Sequence, residues 1–596
     1  GLDESTALQA DCLTVRFTPA GAGTLEKVIR VSVVHLDMAV DGNRDRAIKF
    51  QDPEDEEVLF WVNNDFEDNT CVDVQTKPAK CEEDDLETDL EDARDNRIRT
   101  RRDLEDFSRL QIVSGLLGVS ESLTMNLRID ADAGSPLPTV NLFRAVDASD
   151  KYLGFELSDT DQQPDQQLLE LRLAQVAAEP TPLSMEWLEP GAVSPFLFEG
   201  QSAGQGNLVV TVSRLGVPVL EKRIHLNLHD ISWFYDYFAV EAADNWLLPV
   251  ASELNTVQEG AYRPEQDDYV LFVHGWNTED FTRRRWTETI FKRLWWQGYQ
   301  GKVGLFDWPC RTLPSWDMVT NYDKSEYRAW HSASVLAELL TDNDLAIGGR
   351  HAGRVRLLAH SQGNVVAGEA INLAPAGIIH TYVASQAALS ASFYHQVTSE
   401  IEPQLTPFSY ETPEVFAYYP GAELLTPYLA EVPQKVQAGR MYSYYNLLDY
   451  ALTNADAIWP AWEFNNTTRP DNSIGYRYSG SPEAYPSSPD PGEGFFQVIY
   501  DTDPVTGDIV NVGSRDLRFP RDRYEIFSFG AESRTKALGA AFPPPAVHPG
   551  SKDLAQYGYD KELYSHSRQF RSNIVDEMRY WSGFVNDADF SLEVTP

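Results

Sequence analysis

The chain is short of cysteine, of positive charge and of long apolar runs. Only four of its 596 residues are cysteine (Cys12, Cys71, Cys81 and Cys310), and no CxxC pair occurs, which argues against a structural zinc site. Cys71 and Cys81 are close enough in sequence to bridge in an oxidising compartment, or they remain two thiols. No apolar stretch approaches the roughly 18 residues that a membrane-spanning helix needs. No signal peptide is visible. The chain opens on Gly1, as a trimmed start would, and the expectation is a secreted or periplasmic protein rather than a cytoplasmic one. Lysine and arginine number 49 against 91 acidic residues, for a net charge of −42. Such a surface repels nucleic acid and anionic lipid, so neither is expected as a partner. The charge serves solubility and fits a salty habitat; it specifies no substrate and no oligomeric state.

A chain this long exceeds one ordinary core, so two or more domains are expected. Residues 1–230 read as β-rich. "KVIRVSVVHLDM", "EEVLFWVN", "SLTMNLRI", "TVNLFRAV", "NLVVTVSRL" and "KRIHLNL" are short β-branched or alternating runs between Gly-, Pro- and Asp-rich loops. That spacing suggests a sandwich or jelly-roll module. The acidic block "CEEDDLETDLEDARD" is followed by "NRIRTRRD" and is expected to be a partly self-neutralising loop.

From residue 231 the pattern changes. "YVLFVHG", "KVGLFDWP", "RVRLLAH", "IIHTYVAS", "RMYSYYNL" and "RYEIFSFG" read as strands. "TEDFTRRRWTETIFKRLWWQGY" reads as an amphipathic helix capped by Thr278, with Phe281, Trp286, Ile290 and Leu294 near one face. "EYRAWHSASVLAELLTD" and "GNVVAGEAINLA" read as further helices. The alternation predicts an α/β fold with a mostly parallel sheet over 231–596, with cap or lid insertions around 400–440 and 455–520.

Ser361 stands in Ala359-His360-Ser361-Gln362-Gly363, a nucleophile elbow with Ala in the first place. A serine there is held in a strained strand-to-helix turn. Small residues two before and two after it let the neighbouring elements approach. The turn lifts Oγ clear of the sheet and aims the N–H of Gln362 at a reacting carbonyl. A nucleophilic serine needs a base, and the base needs an acid, here in the chain order Ser, Asp/Glu, His. Residues 370–399 hold no carboxylate, so the strand "IIHTYVAS" cannot supply the acid. Asp449, at the end of "YNLLDYAL", can; Asp456 and Glu463 are the runners-up. Of the later histidines, His566 in "LYSHSRQF" precedes the terminal helix and is favoured over His548 in "FPPPAVHPG". The second oxyanion donor is assigned to the backbone of Trp276 in "VHGWN", with His274 and Gly275 supporting that loop.

Together "VHGWN", "LFDWP" and "LLAHSQGN" resemble a bacterial α/β-hydrolase family of unknown function, whose members combine V-H-G-aromatic-N, F-x-W-P and A-H-S-x-G-N motifs. The likeness covers roughly residues 268–375. Gln362 stands where such proteins often carry Met, which alters the pocket wall but not the backbone donor. The resemblance implies an α/β-hydrolase fold beside an N-terminal sandwich-like domain. It also implies a serine esterase using Ser361, His566 and Asp449, with no metal or cofactor. The substrate would be a small or lipid-like ester. Lipase, amidase or acyltransferase activity would use the same triad; a binding or adhesion protein working through the β-rich half is the reading from another class. "WVNNDFEDN" (Trp61–Asn69) gathers oxygen side chains as a calcium loop does, without the EF-hand spacing. Cys310 reads as a small buried residue.

Overall fold

The computed structural model describes residues 35–64, 104–154, 172–310, 318–388, 394, 429–452 and 538–590, with short breaks inside these ranges, and three antiparallel strand pairs, 11–17 with 25–31, 86–90 with 98–102 and 496–502 with 509–516. The sheet that carries the candidate site has eight strands: β1 (Tyr235–Glu241), β2 (Glu253–Gln258), β3 (Tyr269–Val273), β4 (Lys302–Asp307), β5 (Val355–His360), β6 (Ile379–Ser385), β7 (Met441–Tyr445) and β8 (Lys552–Asp553). Their spatial order is β2-β1-β4-β3-β5-β6-β7-β8. β2 runs antiparallel to β1, and the other neighbours are parallel.

The continuous apolar runs have a simple cause, because both faces of this sheet are buried. Val270, Phe272, Val303, Leu305 and Leu358 enter one core. Their alternates Tyr269, Leu271, Val273, Phe306, Leu357 and Ala359 enter another. Helices α1 (Asp280–Trp296) and α4 (Ile574–Ala588) supply side chains to the first core. α2 (Met318–Thr341) and α3 (Gly363–Leu373) supply the second.

Ten of the strands between His35 and Asp230 form one branched sheet, apart from the separate pair Leu86–Leu90 and Ile98–Arg102. Val193–Ser202 pairs antiparallel with Thr139–Arg144 on one edge; its other edge is shared between Ser108–Gly115, antiparallel, and Glu57–Val62, parallel. The expected fold class is therefore corrected. The protein is strand-rich and built on large mixed sheets that include antiparallel pairs, not on a mostly parallel α/β-hydrolase sheet with a sandwich module attached. The helix–strand alternation of residues 269–373 outweighed, in the sequence, the strands that precede it.

Helix α1 is not amphipathic in the expected sense. Besides Trp286, Ile290 and Leu294 it buries Arg285, Glu288, Lys292 and Arg293. The reason is that α1 faces both sheets. Trp295 and Trp296 meet Trp61 edge-on at 5.8 and 6.4 Å. Lys292 Nζ lies 2.7 Å from Asp106 Oδ1, and Arg293 Nε 2.8 Å from Glu105 Oε1. Trp61 Nε1 also donates to Asp106, at 2.6 Å. Buried charges persist only when paired in this way. Glu279, not Thr278, precedes the helix as its cap position. Part of the acidic block is a strand, Leu86–Leu90, paired antiparallel with Ile98–Arg102 in a register that sets Glu87 opposite Arg101 and Asp89 opposite Arg99.

No described helix is long and apolar enough to cross a membrane. Of the proposed lid segments, only 429–440 and the antiparallel pair Phe496–Thr502 and Ile509–Asp516 fall among the described residues. The strand read in "RYEIFSFG" lies outside them, and β8 forms the sheet edge beside β7.

Candidate active site

Ser361 follows β5 directly and precedes α3 by two residues. Its φ of 51° is in the left-handed region, where a side chain is strained. The small flanking residues are explained by contact. A Cβ on Gly363 would sit 2.5 Å from the Val273 carbonyl oxygen and 2.4 Å from that of His274, both at the end of β3. A Cβ on Gly275 would meet Ser361 Cβ at 2.9 Å. The loop carrying Gly275 and the half-buried Trp276 therefore abuts the serine. Gln362, fully buried, occupies the cap position of α3, whose N-terminal end favours negative charge.

The structure brings together the three residues selected from chain order. His566 Nε2 lies 2.9 Å from Ser361 Oγ. His566 Nδ1 lies 2.8 Å from Asp449 Oδ2 and 3.0 Å from Oδ1. Asp449 is fully buried beyond β7, and His566 ends a single 3-10 turn, Leu563–His566. Of the three, His566 alone is partly open, its side chain 15% exposed. His548 is elsewhere. It packs on Tyr442 at the start of β7, ring centroids 4.3 Å apart, and its Nδ1 accepts from Gly550 N at 3.0 Å. Asp456 and Glu463 lie outside the described residues.

Two residues escaped the sequence reading. Gln386 follows β6, at the strand end passed over for lack of a carboxylate. Its Nε2 donates to Asp449 Oδ2 at 2.7 Å and to Ser565 O at 2.8 Å. His360 was an unspecified position of the elbow. Strand alternation puts it on the same face as Leu358, against Trp286 and Phe570, and that periodicity was the available signal. Its Nε2 donates to His566 O at 2.6 Å.

His274 lies fully buried behind the loop, with Nδ1 2.8 Å from Gly275 O and 2.9 Å from Thr278 Oγ1, and Nε2 3.2 Å from Asp307 Oδ1. Burial is the largest single effect and opposes its positive charge, but the hydrogen bonds to Asp307 and Cys310, with the negative charge of Cys310, together outweigh it and raise its pKa above the ordinary value. Arg283 Nη1 reaches the same Asp307 oxygen at 3.0 Å. Cys310 is buried beside this group. Burial pushes its thiol up, yet the hydrogen bond from His274 and the charges of His274 and Arg283 bring it down to about 7.

Among the described residues no cluster of His, Cys, Asp and Glu could hold a metal ion. The suggested calcium loop is described only through Asn64. There Asn63 Nδ2 donates to Glu199 Oε1 at 2.5 Å and Asn64 Nδ2 to Asp230 Oδ1 at 2.6 Å. Cys71 and Cys81 lie outside the described residues.

No family model matches the chain, and no curated protein matches it. The resemblance described above rests on its three motifs alone.

Proposed function

We propose that the protein is a serine hydrolase that cleaves carboxylic esters of small or lipid-like substrates through an acyl-enzyme. The observation that carries this reading is the continuous contact from Ser361 Oγ through His566 to Asp449, at 2.9 and 2.8 Å. Ser361 attacks the ester carbonyl as His566 Nε2 takes its proton. The N–H groups of Trp276 and Gln362 hold the oxyanion, and His566 returns the proton to the leaving alcohol. Asp449 keeps Nδ1 protonated and stabilises the imidazolium. Water, activated by the same histidine, then attacks the acyl group and frees Ser361.

The test is a fluorophosphonate label with the modified peptide located by mass spectrometry, run beside Ser361→Ala and an ester panel. A single adduct on Ser361, absent from the variant, and turnover of an ester are the expected results. No adduct and no turnover would sink the reading. Adding an alcohol to the same assay separates hydrolysis from acyl transfer.

A further inference from the structure

The base of this site sits on a segment with little regular structure of its own. Leu563–His566 and Arg568–Phe570 are single 3-10 turns. An imidazole that must meet both a hydroxyl and a carboxylate tolerates errors of only about 0.5 Å. Two successive main-chain carbonyls of this segment are held by side chains from the sheet. Gln386, just past β6, donates to Ser565 O at 2.8 Å; His360, the last residue of β5, donates to His566 O at 2.6 Å.

Both donors are buried, and each is tied to a second member of the site. The amide nitrogen of Gln386 carries two hydrogens, and its second partner is Asp449 Oδ2 at 2.7 Å. It thus links the acid to the segment bearing the base. His360 immediately precedes Ser361 in the chain, so its bond links the base to the nucleophile. Gln386 is itself held at a positive φ of 43°, with its N–H on Tyr444 O at 2.8 Å.

We infer that His360 and Gln386 are positioning residues that clamp the main chain at Ser565 and His566, and so hold the imidazole between Ser361 and Asp449. The inference rests on the hydrolase reading above. It also assigns a protonation state. A carbonyl oxygen only accepts, so His360 Nε2 carries the hydrogen. His360 Nδ1 is buried without a hydrogen-bond partner, and a proton there would have nothing to meet. Trp286 and Phe570 wall the ring, and the charged or titratable groups facing it are His566, Arg571 and His274. Burial, and then the charge of His566, hold its pKa well below the ordinary value. Neutrality here serves the base. The two rings are 4.9 Å apart, and a cation on His360 would oppose the charge His566 gains in each turnover.

The experiment uses the full chain, with p-nitrophenyl acetate as substrate and the fluorophosphonate label as a count of competent sites. Gln386→Leu and His360→Phe keep bulk but remove the donors. Each is expected to lower kcat by about 10- to 100-fold at unchanged KM. His360→Gln, which can place an amide N–H near the Nε2 position, is expected to recover much of that loss. Gln386→Glu sets a second carboxyl against Asp449. The buried pair retains one proton between them, which draws negative charge away from His566, so the acid limb of the kcat/KM profile should move down by about one pH unit, a shift that loss of packing would not produce. Circular dichroism identifies any variant that fails to fold; Gln386→Glu and His360→Gln are the milder pair that keep the test decisive. A labelled, active parent whose folded Gln386→Leu and His360→Phe variants stay within about twofold of it, with no shift of the limb in Gln386→Glu, would overturn the clamp alone. A parent that neither labels nor turns over would overturn the hydrolase reading, and the clamp with it.

Discussion

Ser361 Oγ and His566 Nε2 stand 2.9 Å apart although 205 residues separate them in the chain. The contact closes a line of hydrogen bonds that ends on a carboxylate with no solvent exposure. Replacing Asp449 with Asn keeps the shape and removes the charge that fixes the imidazole. The expected outcome is a fall in kcat of about 10⁴-fold with little change in KM, read from steady-state ester hydrolysis.

Ser361 should be a strained residue as well as a reactive one. Its φ of 51° suits glycine far better than alanine. Ser361→Gly and Ser361→Ala both lack the hydroxyl, and neither is expected to hydrolyse esters. Ser361→Gly is expected to be the more stable of the two by about 1 kcal/mol, since relief of strain exceeds the entropy that glycine adds to the unfolded chain. Urea titration of the two variants measures the difference.

His360 predicts an acid-sensitive fold. Burial lowers its folded pKa well below that of the unfolded chain, so between the two values the unfolded state binds the extra proton. Its contribution to stability is therefore present above pH ~6.5 and lost as the pH falls, by about 1.4 kcal/mol per pH unit. His274 has the opposite sign. Its raised pKa stabilises below pH ~6.5, and that contribution fades as the pH rises through the folded value. Denaturant unfolding from pH 7 to 5 should show a shallower acid loss for His360→Gln than for the parent.

Cys310 should titrate as a thiolate near neutrality, with its pKa at about 7. Absorbance at 240 nm in the native protein is expected to rise through that pH and to lose this component in Cys310→Ser. His274→Asn removes the cation beside the thiol, and the rise should move toward the ordinary thiol range of roughly 8–9.

Lys292 and Asp106 are each about 1% exposed by side chain and 2.7 Å apart. Lys292→Met leaves the carboxylate buried without its cation. A loss of roughly 3–5 kcal/mol is expected from chemical denaturation, with Lys292→Met/Asp106→Asn recovering part of it.

What could be read from sequence follows the range of each constraint. The elbow is legible because steric contact at Gly363 and strain at Ser361 impose a pattern on five adjacent residues. Asp449 and His566 are legible through chain order, each at the end of an apolar run or before a helix. Gln386 and His360 act on main-chain carbonyls of a distant segment, which leave no mark on the residues that receive the bond. The fold class was misjudged for a related reason. β1, "YDYFAVE", mixes polar and aromatic residues, and neither it nor the antiparallel edge β2 stands out as a strand. In α1 the run Arg283-Arg284-Arg285 suggests solvent, whereas Arg285 is buried. Partners that neutralise such charges come from elsewhere in the chain and cannot be seen locally.

Helix α1 has a consequence for descent. The indoles of its last turn lie on Trp61 and its cations on Glu105 and Asp106, while its other neighbours include β1 and β4 of the sheet that holds Ser361. Recombination that exchanged one flank of this helix for an unrelated sequence would strand two carboxylates or two cations in the interior. Viable offspring would have to inherit both flanks together. Substitutions at Trp61, Glu105, Asp106, Lys292 and Arg293 should therefore be tolerated mainly in matched sets.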